Sequence, residues 1–357
     1  MVTQTQQSRP GTEAFGNKVF TDFTHTIGTF LTVLGDRLGL FKALAGRGPV
    51  TNDELASLTG LDRRYVGEWL NGMVAAGSLE YIPDDQRYVL PDEWVPVLAD
   101  EGGVAFMGGA LALVPYMMGV IDEVESSFRS GGGVHQSHYD HRMWSEMQRQ
   151  SEGVFNHLLA PAIVPSIPGA VEKLERGARV ADVGAGGGMA LVRLAAAYPA
   201  STFVGYDAFP AQVRLATENA QQAGVSDRLE FRIRDVLDGL DERFDLITSF
   251  DVVHDSARPG KFLEAVHDAL KPDGAYAMLE PAAGETLEDN IGPVGTFLYG
   301  ASIFYCMTTA LAIGGEGIGT AGLPPSRVKA LAEDAGFSTV EHIDFPHPLY
   351  AMFVLRP

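Results

Sequence analysis

The first chemical signal in the sequence is a set of acidic residues spaced around an alternating run of glycines. Asp182-Val183-Gly184-Ala185-Gly186-Gly187-Gly188 closes a β-rich run, ARVADV. Glycines there let a ligand reach the backbone and let the turn take left-handed conformations closed to other residues. The spacing is not the G-x-G-x-x-G of a dinucleotide-binding turn, whose third glycine would fall on Met189. Asp207 ends the next β-rich run, TFVGYD, 19 residues beyond Gly188. A carboxylate at that strand end can accept both hydrogen bonds of a ribose diol. Asp235 follows LEFRI, Asp251 and the pair His254-Asp255 follow FDLITSF, and Glu280 ends AYAMLE. Acids at successive strand ends of an open α/β sheet collect on the edge where ligands bind.

Those runs must be held by a sheet. From about residue 172 onward, short β-rich segments alternate with helical ones, which predicts a mostly parallel sheet with helices on both faces. The two final strands, FSTVEHI and YAMFVLR, have no helix between them, so one of them must run antiparallel. The N-terminal part reads differently. A helical pattern runs from Phe15 to about Leu44, with an apolar stripe from Val19 to Phe41 broad enough to face a second subunit. Thr51 and Glu54 are spaced as a capping box. The helix they open stops at Gly60, a second runs to Gly77, and SLEYIPDDQRYVL reads as a hairpin turning at Asp84-Asp85. Helix, turn, helix, hairpin is the order of a winged helix.

The sequence thus divides into a disordered N-terminus (1–14), a winged-helix dimerisation domain (15–100), a helical connector and site cover (101–171) and an α/β domain (172–357) with an apolar insert at 281–324. The chain has 357 residues, 46% hydrophobic and 20% charged, enough for sizeable cores. With 26 basic and 46 acidic residues it carries −20, which disfavours a polyanion-binding surface. Residues 1–100 hold 8 basic and 13 acidic side chains, and the would-be recognition helix offers only Arg63 and Arg64. Nucleic acid is therefore an unlikely partner, and the winged helix is read as a dimerisation and substrate-wall domain. The uncharged stretches 102–121 and 291–315 are long enough to cross a bilayer, but glycines and prolines interrupt both and no basic cluster flanks them. They read as buried helices or pocket walls of a soluble, cytoplasmic protein with no membrane partner.

The D-x-G-x-G-x-G run resembles the first motif of the class I S-adenosylmethionine-dependent methyltransferases. The resemblance implies a cofactor set of Asp182, Gly184, Gly186, Gly188, Asp207, Ala208, Asp235, Val236, Phe250 and Asp251, with Asp235 on the adenine amino group and Val236 over the ring. The VVHD segment and the strand ending at Glu280 are similar to those of two-domain small-molecule O-methyltransferases. In that family a His-Asp pair after the fourth strand supplies the general base, which implies His254 with Asp255. An acid 26 residues on, Glu280 here, orients the histidine. A second orienting acid, expected just before the helix at Ser326, is not evident in GIGTAGLPPSRV. DRLGLFKAL, RYVGEWL, FYCM, GGEGIGT and the final AGF extend the likeness, over nearly the whole chain, to actinobacterial members with an N-terminal winged helix.

The resemblance implies S-adenosylmethionine as cofactor and a small-molecule acceptor methylated at a hydroxyl; the stripe from Val19 to Phe41 points to a homodimer, and the insert to an apolar or aromatic acceptor. Methylation at carbon, nitrogen or sulfur, a cofactor-responsive DNA-binding regulator, and non-methyl chemistry in the same pocket stay open as alternatives. Phe297, Tyr299, Phe304, Tyr305 and Met307 suit a roof over the acceptor. Tyr139 and Trp144 either close over the site or pack between domains. His135, His138 and His141 stand at spacing three but in a loop-like context, and nothing in the sequence asks for a metal. The single cysteine, Cys306, excludes an intramolecular disulfide and is read as excluding cysteine-ligated zinc or iron–sulfur. It reads as a buried, inert thiol.

Overall fold

A computed structural model describes residues 10–345 and 347–357. The expected disorder at 1–14 falls mainly on residues 1–9, outside the described residues, and Thr12 already begins a helix. The chain divides into two compact units, Met1–Pro115 and Tyr116–Pro357.

In the first unit the long N-terminal pattern resolves into two helices, Thr12–Arg37 and Leu40–Leu44. They part at Gly39, whose φ of 68° is left-handed and ends the first helix where a single helix to Leu44 was expected. The capping box forms as read: the Glu54 N–H donates to Thr51 Oγ1 (3.2 Å) and the Thr51 N–H to Glu54 Oε2 (2.7 Å). Helix Asn52–Thr59 stops at left-handed Gly60, and helix Arg63–Ala75 follows, capped by Asp62. Strands β1 (Glu80–Ile82) and β2 (Arg87–Val89) make the wing, with Ile82 opposite Arg87 across the Asp84-Asp85 turn. Leu40, Phe41, Leu55, Trp69, Leu70 and Met73 fill the core beneath it. The Trp69 indole donates to the Leu31 carbonyl at 2.8 Å and so fixes the long helix on this core.

The second unit is built on seven strands: β3 (Arg179–Val183), β4 (Thr202–Asp207), β5 (Leu229–Ile233), β6 (Phe244–Phe250), β7 (Leu270–Pro281), β8 (Thr339–Ile343) and β9 (Tyr350–Arg356). Their order is β5-β4-β3-β6-β7-β9-β8. β3 to β7 pair in parallel, and β9 is antiparallel to both of its neighbours, as the missing crossover helix requires. Two buried clusters cover the two faces, one around Val180, Leu191 and Phe203, the other around Val204, Phe262 and Tyr276. Parallel strands covered on both faces read as near-continuous apolar runs, which is why they stood out in the sequence. β7 starts earlier than expected: Pro272 and Gly274 lie inside it, where its register with β6 shifts between Phe244 and Leu246.

Within the apolar insert, Pro293–Ala312 is one helical run. Pro293–Ala301 and Met307–Ala312 are α-helical, joined by a π-helical turn at Ser302–Cys306. Pro293–Ala312 is long and apolar enough to cross a membrane by length and composition. Its Met307–Ala312 segment packs on the short turn after β6. The other uncharged stretch forms a helix of only 11 residues, Gly108–Met118.

Candidate active site

The glycine run sits where β3 meets helix Met189–Ala197. Gly184, Gly186 and Gly188 have φ values of 71°, 51° and 74°, a region that side chains avoid. A Cβ on Gly184 would meet Val252 and one on Gly188 would meet Phe231, whereas the space above Gly186 is open. Asp207 Oδ2 accepts from the Gly186 N–H at 2.9 Å and Oδ1 from the Phe209 N–H at 2.8 Å. Each oxygen keeps a lone pair for a diol. Burial pushes the Asp207 carboxyl up, and these two N–H groups pull it back. Asp182 lies under the loop and accepts from Thr248 Oγ1 at 2.7 Å. Burial pushes its carboxyl up to about 7. Ala208 is exposed beside Asp207. Asp235 is exposed and caps the next turn through the Leu237 N–H at 2.9 Å, with Val236 half-buried behind it. Phe250 edges onto Phe155 at 5.2 Å. Together the open, left-handed loop and the diol acceptor fit an adenosyl cofactor.

Two residues that the sequence reading missed hold this loop. Asn219 Nδ2 donates to the Gly187 carbonyl at 2.8 Å, and the Gln148 side chain lies against Gly187. Both come from helices distant in sequence, so no local pattern marks them.

Beyond β6 the chain makes a short turn, Val253–Asp255, entered through Asp251 at a φ of 57°. A non-glycine residue held there is strained, as functional turns often are. Glu280, at the end of β7, is fully buried and organises the turn. Its Oε1 accepts from the Val252 and Val253 N–H groups (3.2 and 2.9 Å), and its Oε2 from the His254 N–H (3.3 Å). Oε2 also lies 2.7 Å from His254 Nδ1. A carboxylate there makes Nδ1 a protonated ring nitrogen and turns Nε2 toward the remaining neighbours.

Nε2 faces Asp255 Oδ1 at 3.1 Å and the thiol of Cys306. Burial alone would push the imidazole down, but Asp255 and Cys306 outweigh it and hold the ring well above its ordinary value. The second carboxylate on the histidine is therefore Asp255. Before the Ser326 helix, Glu285 serves as a cap, accepting from the Ser326 N–H at 2.8 Å. Burial pushes the Cys306 thiol up to about 12. Burial likewise pushes Asp251 up to about 7, with Tyr350 hydrogen-bonded to it.

Of the expected roof, Tyr305 is buried and forms edge contacts with Tyr139 (5.4 Å) and Trp144 (5.9 Å). The Tyr139 hydroxyl donates to the Phe304 carbonyl at 2.6 Å. Phe304 and Met307 are half-buried, while Phe297 and Tyr299 are exposed. His135, His138 and His141 fall around a single 3-10 turn, Gln136–His138, and the N-cap of helix Arg142–His157.

Residues 174–299 match the methyltransferase domain family, and residues 26–99 match the Rv2258c-like winged HTH domain. The mitomycin 7-O-methyltransferase superposes with a TM-score of 0.71 at 18% identity, over 97% of this chain and 98% of that one. Human N-acetylserotonin methyltransferase, solved with S-adenosylmethionine, superposes with a TM-score of 0.70 at 17% identity, over 97% and 99%. The ubiquinone biosynthesis O-methyltransferase of Ruegeria pomeroyi is 34% identical over 101 residues, 28% of this chain and 39% of that enzyme's length. Residues 174–299 thus carry a methyltransferase domain, residues 26–99 a winged-helix domain, and the chain shares the fold of these two-domain enzymes.

Proposed function

We propose that the protein transfers a methyl group from S-adenosylmethionine to a hydroxyl of a small apolar or aromatic acceptor, with His254 as general base. The observation that carries this reading is the His254 Nδ1–Glu280 Oε2 contact of 2.7 Å, in a turn whose Val252 packs on Gly184 of the cofactor loop. The cofactor supplies an electrophilic methyl on a good leaving group. Gly184–Gly188, Asp207 and Asp235 would hold it, and the chain's further work is to position the acceptor and manage its proton. A phenol has a pKa of about 10, so prior deprotonation at neutral pH is unfavourable. A base in contact can accept the proton as the methyl arrives. The aromatic group of buried Tyr139 and Tyr305 with half-buried Trp144 supports an apolar acceptor beside the imidazole.

On this reading the protein is a cytoplasmic enzyme that dimerises through helix Thr12–Arg37. The test is turnover with a panel of phenolic acceptors. His254→Ala should bind cofactor normally and lose roughly 10²–10⁴-fold in turnover. Near-full turnover in that variant would place the base elsewhere.

A further inference from the structure

His254 has two close neighbours that methyl transfer leaves unused. A ring nitrogen of His254, a carboxylate oxygen of Asp255 and Cys306 Sγ all lie within 4.8 Å of one another. Nε2 and Oδ1 are 3.1 Å apart, an ion pair beyond which Asp255 Oδ1, a buried atom, has no further hydrogen-bond partner. Beside the sulfur stands the Thr320 hydroxyl, on a residue only 4% exposed and with no hydrogen-bond partner but that thiol. An imidazole nitrogen, a carboxylate oxygen, a thiol and a hydroxyl thus converge on one largely buried point, a donor set able to bind a cation.

We propose that His254 Nε2, Asp255 Oδ1 and Cys306 Sγ form a three-ligand site for a divalent cation of the Zn²⁺ type, with a fourth position open. A mixed nitrogen, oxygen and sulfur set suits zinc better than the hard cations. Bonds of about 2.0–2.3 Å in a tetrahedron separate ligand atoms by roughly 3.3–3.8 Å, a spacing this cluster reaches with small side-chain movements. Glu280 on Nδ1 supplies the carboxylate that orients metal-binding histidines. The sulfur comes from the π-helical turn Ser302–Cys306, an irregularity common at functional sites. A single cysteine bars an all-thiolate site but not a mixed one.

Binding breaks the Cys306 S–H bond and displaces any proton on His254 Nε2, forms metal–sulfur and metal–nitrogen bonds and releases those protons to solvent, with no change of oxidation state. The ion takes the Nε2 lone pair, so a loaded site cannot also accept a proton from the acceptor. That consequence rests on the general-base reading; the site itself does not.

Calorimetric titration of Zn²⁺ into the full-length, metal-free protein should show one equivalent bound. Cys306→Ser and Asp255→Asn should each weaken it by about tenfold or more. With Co²⁺ as probe, the wild type should show a thiolate-to-metal absorption band in the near ultraviolet that Cys306→Ser lacks. No binding, affinity unchanged in both variants, or a Co²⁺ spectrum without the thiolate band overturns the site. Zn²⁺ should also suppress methyl transfer to the phenol panel. Full turnover in protein shown by the Co²⁺ band to bind at Cys306 would leave the site standing and overturn His254 as base.

Discussion

Glu280 accepts from three consecutive backbone N–H groups as well as lying on His254, so replacing it by glutamine alters the turn together with the ring. Glutamine keeps one acceptor oxygen and must turn an NH₂ toward donors. Losing bonds to a buried charge should cost about 3 kcal/mol, or roughly 6–12 °C in Tm for a unit of this size. His254→Ala leaves all three backbone bonds in place, so Glu280→Gln should melt below His254→Ala. Equal melting temperatures would mean that Glu280 only orients the ring. Asp182 acts in the opposite sense. Its carboxyl is pushed up to about 7 in the fold by burial, against about 3.9 in an unfolded chain. Below pH 4 it is protonated in both states and has no effect. As pH rises toward 7 the unfolded chain ionises first, so folding stability falls, by up to roughly 4 kcal/mol above pH 7. Asp182→Asn keeps an acceptor for Thr248 and should melt above wild type at pH 8 but close to it at pH 4. A gain of the same size at both pH values would refute the titration.

Strand ends make Asp207 and the glycine loop one device. The carboxylate ties Gly186 to the start of the next helix at Phe209, so it shapes the loop as well as offering lone pairs to a diol. A charge-assisted bond contributes about 1.5–3 kcal/mol. Asp207→Ala should therefore lower S-adenosylmethionine affinity by more than about tenfold by calorimetry. Unchanged affinity in a folded variant would remove Asp207 from the site. These elements were legible in the sequence because their signals are local: apolar runs, a glycine spacing, an acid where a strand stops. The Thr51–Glu54 box was legible for the same reason. Pro272 and Gly274 misled because chain breakers also mark register shifts within a strand. The Cys306–His254 contact was beyond reach, since it depends on a π-helical turn that no spacing rule announces. DNA reading by the winged helix loses further ground at this scale, because Arg63 and Arg64 are ion-paired to Asp53 and Glu68.

At the scale of the molecule, helix Thr12–Arg37 buries only Val33 and Gly35 among its residues. Phe15, Val19, Phe20, Phe23, Ile27, Phe30 and Leu34 stay exposed along it, Phe20 by 66% and Phe23 by 59%. Gly35 is the point of closest approach to the core: a Cβ there would strike Trp69 and Phe41. One end of the helix is thus anchored while an apolar face over most of its length has no cover among the described residues. Contiguous apolar surface of that extent marks an interaction site in a stable protein. The occupant proposed is the same helix of a second chain, since a two-fold axis lets one stripe serve both partners. Sedimentation at micromolar concentration should give twice 38.3 kDa. Two chains of net charge −20 repel each other, so added salt should strengthen the dimer. An interface held by ion pairs would weaken instead. Phe20→Glu with Phe23→Glu changes exposed positions, so the fold should persist while the mass falls to 38.3 kDa. A wild type that sediments as a monomer would overturn the dimer and return this face to contacts within the chain.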